Sequence, residues 1–158
     1  MTRILVTGMS GTGKSAALAA LGARGHRVVD TDYDGWSEHV TLPDGSTDWM
    51  WREDAVHQLL NDQHGGALFL AGTSRNQGRF YPLLDHVVLL CAPADVLLAR
   101  IAARDSNPYG KSDTERALVL EHLEAVEPLL RATATLEIDA TRPLAEVVDT
   151  LEALVTPA

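Results

Sequence analysis

The chain has 158 residues, 46% of them apolar, which is enough to bury one core and too little for a second independent domain, so a single domain over residues 1–158 is expected. Thirteen basic against 22 acidic residues leave a formal charge of −9, which repels polyanions and argues against a nucleic-acid partner. Cys91 is the only cysteine, which excludes an internal disulfide, the six histidines show no metal-ligand spacing, and no apolar run approaches a membrane span.

Residues 3–7 (RILVT) form a short apolar run bounded by Gly8, the pattern of a buried parallel strand. MTRILVTG enters that strand with no basic, apolar and small-residue leader, so a cytoplasmic protein is expected. A helix follows from Lys14 through Leu21, stopped by Gly22 and Gly25. Arg27–Val29 reads as a second strand that runs into Asp30-Thr31-Asp32-Tyr33-Asp34. Residues 35–49, with Gly, Pro, Asp and Ser beside two tryptophans, read as mostly irregular. Trp51 to about Gln63 has helical spacing, with Val56, Leu59 and Leu60 on one face.

A strand at Ala67–Ala71, a polar loop at Gly72–Gly78 and a strand at His86–Cys91 come next. Pro93 suits the first turn of a helix running to Arg104. After a turn at Asp105–Gly110, Ser112 and Glu115 form a capping box for a long helix to about Arg131. Leu136–Ile138 is a last strand, followed by Pro143 and a terminal helix through Val155. Strands thus alternate with helices throughout, which predicts a three-layer α/β/α sandwich around five parallel strands.

Gly8-Met9-Ser10-Gly11-Thr12-Gly13-Lys14-Ser15 fits the phosphate-binding pattern G-x-x-x-x-G-K-S/T, after a strand and opening a helix as the pattern requires. Glycines let the backbone wrap closely, so the N–H groups of Gly8, Ser10, Gly11, Thr12 and Gly13 turn toward phosphates at a helix N-terminus. Lys14 is expected to reach the β- and γ-phosphates of a purine nucleoside triphosphate, and the Ser15 hydroxyl to ligate Mg²⁺. The fold expected is therefore that of the P-loop nucleoside triphosphate hydrolases. Switch GTPases carry an N-K-x-D segment that this chain lacks. AAA-type and helicase ATPases are expected to be longer and to end a strand in paired acids, whereas ALFLAG ends at Gly72 with none.

Over nearly its whole length the chain resembles the small P-loop kinases, the group of nucleoside monophosphate, shikimate and gluconate kinases. Val28-Val29-Asp30-Thr31-Asp32 is similar to the D-S/T-D that follows strand two in shikimate kinases. The resemblance implies that Asp30 supports Mg²⁺ through water and that Asp32 is the candidate base at the acceptor. Leu97 to Arg104 is similar to the L-x-x-R-x-x-x-R of these kinases. It implies that Arg100 stacks near the adenine and Arg104 stabilises the transferring phosphoryl group. Residues 104–112 would form a short lid that excludes water, with Lys111 as a second cation over the phosphates. Thr141-Arg142-Pro143 resembles the adenine-edge loop, placing Arg142 and Pro143 at the base; a helix-starting proline explains the same residues.

An acceptor-binding insert is expected over about 33–64. Shikimate kinases carry an arginine two residues before a Pro-Leu-Tyr; here Val126 precedes Pro128-Leu129-Leu130, which argues against shikimate itself. Gly72-Thr73-Ser74-Arg75-Asn76-Gln77 resembles the G-F-P-R and nearby glutamine of adenylate kinases, implying that Arg75 holds an acceptor phosphate and Gln77 reads a base. Trp51-Arg52-Glu53-Asp54 lies where related kinases place acceptor contacts, which adds Arg52. Trp36, Trp49 and Trp51 crowd this region and either stack on a ring or belong to the core. The function expected is transfer of the γ-phosphoryl group of ATP, with Mg²⁺, to a nucleoside monophosphate. The alternatives are a non-nucleotide metabolite, such as a sugar acid or shikimate-like hydroxy compound, and a nucleotide-dependent binding switch. A monomer or homodimer is expected.

Overall fold

The structure is a computed structural model and describes residues 2–62, 65–105 and 109–155. The expected lid turn at Asn107-Pro108 and the end of the helix expected to reach Gln63 lie outside the described residues. Five parallel strands form the central sheet: β1 (Thr2–Gly8), β2 (Arg27–Asp30), β5 (Ala67–Ala71), β6 (His86–Cys91) and β7 (Leu136–Asp139). Their order across the sheet is β2-β5-β1-β6-β7, and the register sets Val28 beside Phe69, Phe69 beside Ile4 and Leu90 beside Ile138. Among the described residues, six α-helices accompany them: α1 (Lys14–Ala23), α2 (Glu53–Asn61), α3 (Ala94–Ala103), α4 (Asp113–Ala125), α5 (Glu127–Thr133) and α6 (Leu144–Glu152).

Side chains alternate across each strand, so the apolar runs feed two cores. Ile4, Val6, Phe69, Val88 and Leu90 meet Ala17, Leu18 and Leu21 of α1 and Val147, Val148 and Leu151 of α6. Leu5, Leu68, Leu70 and Val87 point the other way and meet Val56, Leu59 and Leu60 of α2 with Phe80 and Trp51. The expected three-layer arrangement with five parallel strands is the one observed.

Four local expectations are corrected. Residues 35–49 are not mostly irregular, because Ser37–Thr41 (β3) and Thr47–Trp51 (β4) pair antiparallel as a hairpin. Its turn is closed by Leu42 N–H donating to Ser46 O (2.7 Å) and by the Asp44 carboxylate, which accepts from the Ser46 N–H (2.9 Å). Trp51 consequently ends a strand, and α2 begins only at Glu53. The expected long helix to Arg131 is two helices, broken at Val126. Pro128, in the first turn of α5, has no N–H to return to the preceding turn. A 3₁₀ segment over Gln77–Leu83 also replaces part of the polar stretch between β5 and β6.

The hairpin is not left to its own ladder, which would be marginal for two strands in water. Trp51 is buried, its indole Nε1–H donates to Thr31 Oγ (2.9 Å), and its ring packs on Phe80 at 5.7 Å. Its backbone N–H donates to Ser74 Oγ (3.1 Å), and Asn76 Nδ2 donates to its carbonyl (3.0 Å). Ser37 Oγ donates to Thr31 O (2.6 Å) from the opposite strand. Both strands of the hairpin are thereby fastened to the carboxyl ends of β2 and β5.

Candidate active site

The loop of residues 8–15 joins β1 to α1 at the carboxyl edge of the sheet. Gly13 caps α1 in the left-handed region (φ 93°) with no side chain filling the cap. Gly11 also has positive φ (89°), and a Cβ there would lie 2.8 Å from Leu97 O and 3.1 Å from Ile101 Cγ1, so the loop lies directly on α3. Thr12 N–H returns to Met9 O (3.3 Å), while the described residues give the N–H groups of Gly11, Gly13, Lys14 and Ser15 no acceptor. Unspent donors at a helix N-terminus form an anion cradle.

Lys14 folds back across this cradle, its Nζ donating to Gly8 O (2.6 Å) and Met9 O (3.0 Å). Burial lowers its pKa to about 8, against the opposing fields of Asp32 and Asp30. Thr73, just beyond β5, donates its hydroxyl to the same Gly8 carbonyl (2.7 Å) and lies 3.0 Å from Thr7 Oγ. The entry to the loop is therefore tied to β5 independently of the lysine.

Asp30 ends β2 with Oδ2 accepting from Ser15 Oγ (2.7 Å), and its Oδ1 accepts from the Asp32 N–H (3.2 Å). A hydroxyl and a carboxylate side by side are hard oxygen donors, so this pair fits Mg²⁺. Asp32 lies two residues further, with its pKa raised by partial burial and by Asp30, and held back by Lys14 and by the Trp49 indole. Trp49 Nε1–H donates to Asp32 Oδ1 at 3.2 Å.

The two arginines of α3 take different directions. Arg104 reaches the loop, its Nη2 donating to Ser10 Oγ (3.4 Å) and Tyr109 O (2.8 Å). Arg100 Nη2 donates to Ala140 O (2.5 Å), which brings it to the segment carrying Arg142 and Pro143, both exposed. Lys111 is exposed at the start of the α4 cap.

The acceptor residues expected from the sequence are less well gathered. Arg52 donates to Gly35 O (3.1 Å) and faces Asp54 at 3.7 Å, while Arg75 Nε is paired with Asp48 at 2.9 Å. Gln77 is turned inward, contrary to a base-reading role. It is 3% exposed, its Oε1 accepts from Ser74 N–H (2.8 Å), and its Nε2 donates to Tyr81 OH (2.8 Å). Its amide braces the loop after β5 and has no face left for a ligand. Of the three tryptophans, Trp51 is core, Trp36 is partly buried against the same cluster, and Trp49 is exposed at the site. Sequence reasoning missed Thr73 and the pairing of Trp49 with Asp32; only recognition of the hairpin would have aligned Trp49 with the acidic segment.

A family model for the AAA domain matches residues 4–121. A search of the curated proteins finds no match. Among solved structures, a gluconokinase from Sinorhizobium meliloti 1021 is similar at 22% identity and TM-score 0.66, over 96% of this chain and 90% of that one. A shikimate kinase from Acinetobacter baumannii, in complex with shikimate, is similar at 20% identity and TM-score 0.67, over 98% and 92%. One from Bacteroides thetaiotaomicron is similar at 18% identity and TM-score 0.64, over 97% of each chain. The fold is thus that of the small P-loop kinases. The expectation that an AAA-type domain needs a longer chain and paired acids after a strand is corrected by the family match, which spans β1 to α4 of this short chain. With a P-loop at the carboxyl edge of its sheet and that match over most of its length, the chain belongs to the AAA domain family.

Proposed function

We propose that the chain is a phosphotransferase that moves the γ-phosphoryl group of ATP to a hydroxyl of a small metabolite in the cytoplasm. The observation that carries this is the division of labour between two neighbouring carboxylates: Asp30 is spent on Ser15, whereas the Asp32 carboxylate faces the Trp49 indole at the site's edge. A protein that merely holds a nucleotide has no use for the second one.

In this reading the N–H groups of Gly11, Gly13, Lys14 and Ser15 bind the phosphate oxygens, and Lys14 exchanges the Gly8 and Met9 carbonyls for them. Ser15 and Asp30 hold Mg²⁺, directly or through water, and the ion supplies neutralisation of charge on the phosphates. Arg104, already against Ser10, stabilises charge as the bond between phosphorus and the bridging oxygen breaks. Asp32 accepts the proton of the acceptor hydroxyl as its oxygen bonds to phosphorus. Arg100, with Arg142 and Pro143, frames the place for the base.

Two acceptor classes divide on one observation. A nucleoside monophosphate needs cations for its phosphate, yet Arg75 is paired with Asp48 and Arg52 lies against Asp54. This favours a non-nucleotide hydroxy compound. A coupled assay of ADP release across nucleoside monophosphates, sugar acids and neutral sugars tests the proposal. Release that no acceptor increases would leave a nucleotide-dependent switch as the function.

A further inference from the structure

The acceptor side of the site has a feature that the phosphate machinery does not use. In the hairpin, His39 stands directly opposite Trp49, and the two rings meet edge to face at 4.9 Å and 60°. That contact fixes the indole, whose Nε1–H points at Asp32 Oδ1 (3.2 Å) while the ring stays 39% exposed. A fixed aromatic face beside a carboxylate presents an apolar plane for C–H groups and an acceptor for O–H groups.

The charges around this face exclude part of the range. Asp30 lies close enough to act on the Asp32 carboxylate, and Asp48 adjoins Trp49 in β4. Arg52, Arg75 and Arg79 are each within ion-pair distance of a carboxylate, that of Asp54, Asp48 and Glu53 respectively. An anionic acceptor entering here would meet like charge at Asp30, Asp32 and Asp48 and would find each of these guanidinium groups beside a carboxylate that offsets its charge, a mismatch that disfavours binding.

We infer that the acceptor is an uncharged polyhydroxy compound, of the sugar or cyclitol class, seated on the Trp49–His39 face with one hydroxyl on Asp32. This rests on the phosphotransferase proposed above and narrows it. Asp48 is then a specificity-determining residue, because its carboxylate offsets the charge of Arg75 beside the acceptor face. Trp49 is the residue that binds the acceptor without touching the nucleotide.

The test compares acceptors that differ only in charge: neutral hexoses and cyclitols, the same sugars oxidised to aldonic or uronic acids, and nucleoside monophosphates, all read by ADP release. The neutral members are expected to be the better substrates, with kcat/KM at least about tenfold above the matching acids, equivalent to about 1.4 kcal/mol. Trp49→Ala should raise the acceptor KM by about tenfold and leave the ATP KM unchanged, and Asp48→Asn should narrow the gap between a sugar and its acid. Quenching of tryptophan fluorescence by the neutral acceptor, present in the wild type and lost in Trp49→Phe, reports binding without turnover. An acid or a nucleoside monophosphate outperforming every neutral acceptor overturns this inference and leaves the phosphotransferase intact. ADP release that no acceptor stimulates, with no quenching by neutral sugars, removes both.

Discussion

Lys14 rests on two carbonyls of its own loop, and its pKa is pushed down to about 8 by burial. Phosphate oxygens beside the ammonium raise that value, so binding takes up a proton wherever the pH exceeds the free protein's pKa. ATP affinity is therefore expected to be flat below that pKa and to fall above it, by up to about tenfold per pH unit. Calorimetry in two buffers of different ionisation enthalpy should show proton uptake at about pH 9 and none at about pH 6. An affinity that stays flat across that range would mean that the lysine is fully charged before ATP arrives. Arg104 leans on Ser10 rather than on a base pocket, so Arg104→Ala should lower kcat by about a hundredfold or more with a much smaller loss of ATP affinity. Equal losses in both would assign Arg104 to ground-state binding. At this scale the sequence was readable where a motif fixes the backbone: Ser15 and Asp30 meet because one starts a helix and the other ends a strand beside it. Gln77 was not, because its amide turns inward between its near neighbours Ser74 and Tyr81 and onto Thr7, a residue of β1 that only tertiary packing brings to it.

The hairpin is the element that carries Trp49 to the site. Its attachment runs through Trp51, so Trp51→Phe, which keeps an aromatic ring and deletes the bond to Thr31, should cost about 1–2 kcal/mol in denaturant unfolding. The same substitution should loosen Trp49, two residues earlier in β4, and so weaken acceptor binding more than ATP binding. Pro43-Asp44-Gly45-Ser46 between two segments rich in Thr, Val and Trp is a hairpin signal with a mechanism: Gly45 takes φ 85° and Asp44 bonds the backbone two residues on. It was hidden because the same residues also spell a loop, and the strands alternate over only five residues each. Pro128 was likewise legible as a break once its missing N–H is set against the expected length of the helix. By contrast, Ser112 was read correctly as the cap of α4, its Oγ accepting from Glu115 N–H at 3.1 Å, although Glu115 Oε1 reaches past it to the Gly110 N–H (3.3 Å).

Across the whole molecule, apolar runs identified β1, β5 and β6 because strands buried on both faces have no polar face to confuse the pattern, while the partly exposed edge strands β2 and β7 showed as shorter apolar runs between helices. Their spatial order was not readable from the runs alone: β5 lies between β1 and β2, and nothing in a string of Leu and Val names its neighbours. That order brings Asp30 and Thr73, ending adjacent strands, to the phosphate loop from one side. The scaffold depends on α1 being clamped between the sheet and α6. Leu21, fully buried there, should cost about 2–5 kcal/mol on truncation to Ala, lowering the melting temperature measured by calorimetry by roughly 5–15 °C. A smaller shift with unchanged ATP affinity would mean that the cavity collapses without disturbing the loop.

Ile101 deserves a last consequence. Its side chain is fully buried, touching the space a Cβ would need at Gly11 (3.1 Å) on one side and at Gly110 (2.7 Å, positive φ of 89°) on the other. One aliphatic group is thus shared by the phosphate loop and by the segment returning into α4. Neither can shift without the other's packing changing, and free-energy linkage of this kind is reciprocal. Whatever ATP does to the posture of residues 109–112, holding those residues in that posture must do to the affinity for ATP, by the same factor.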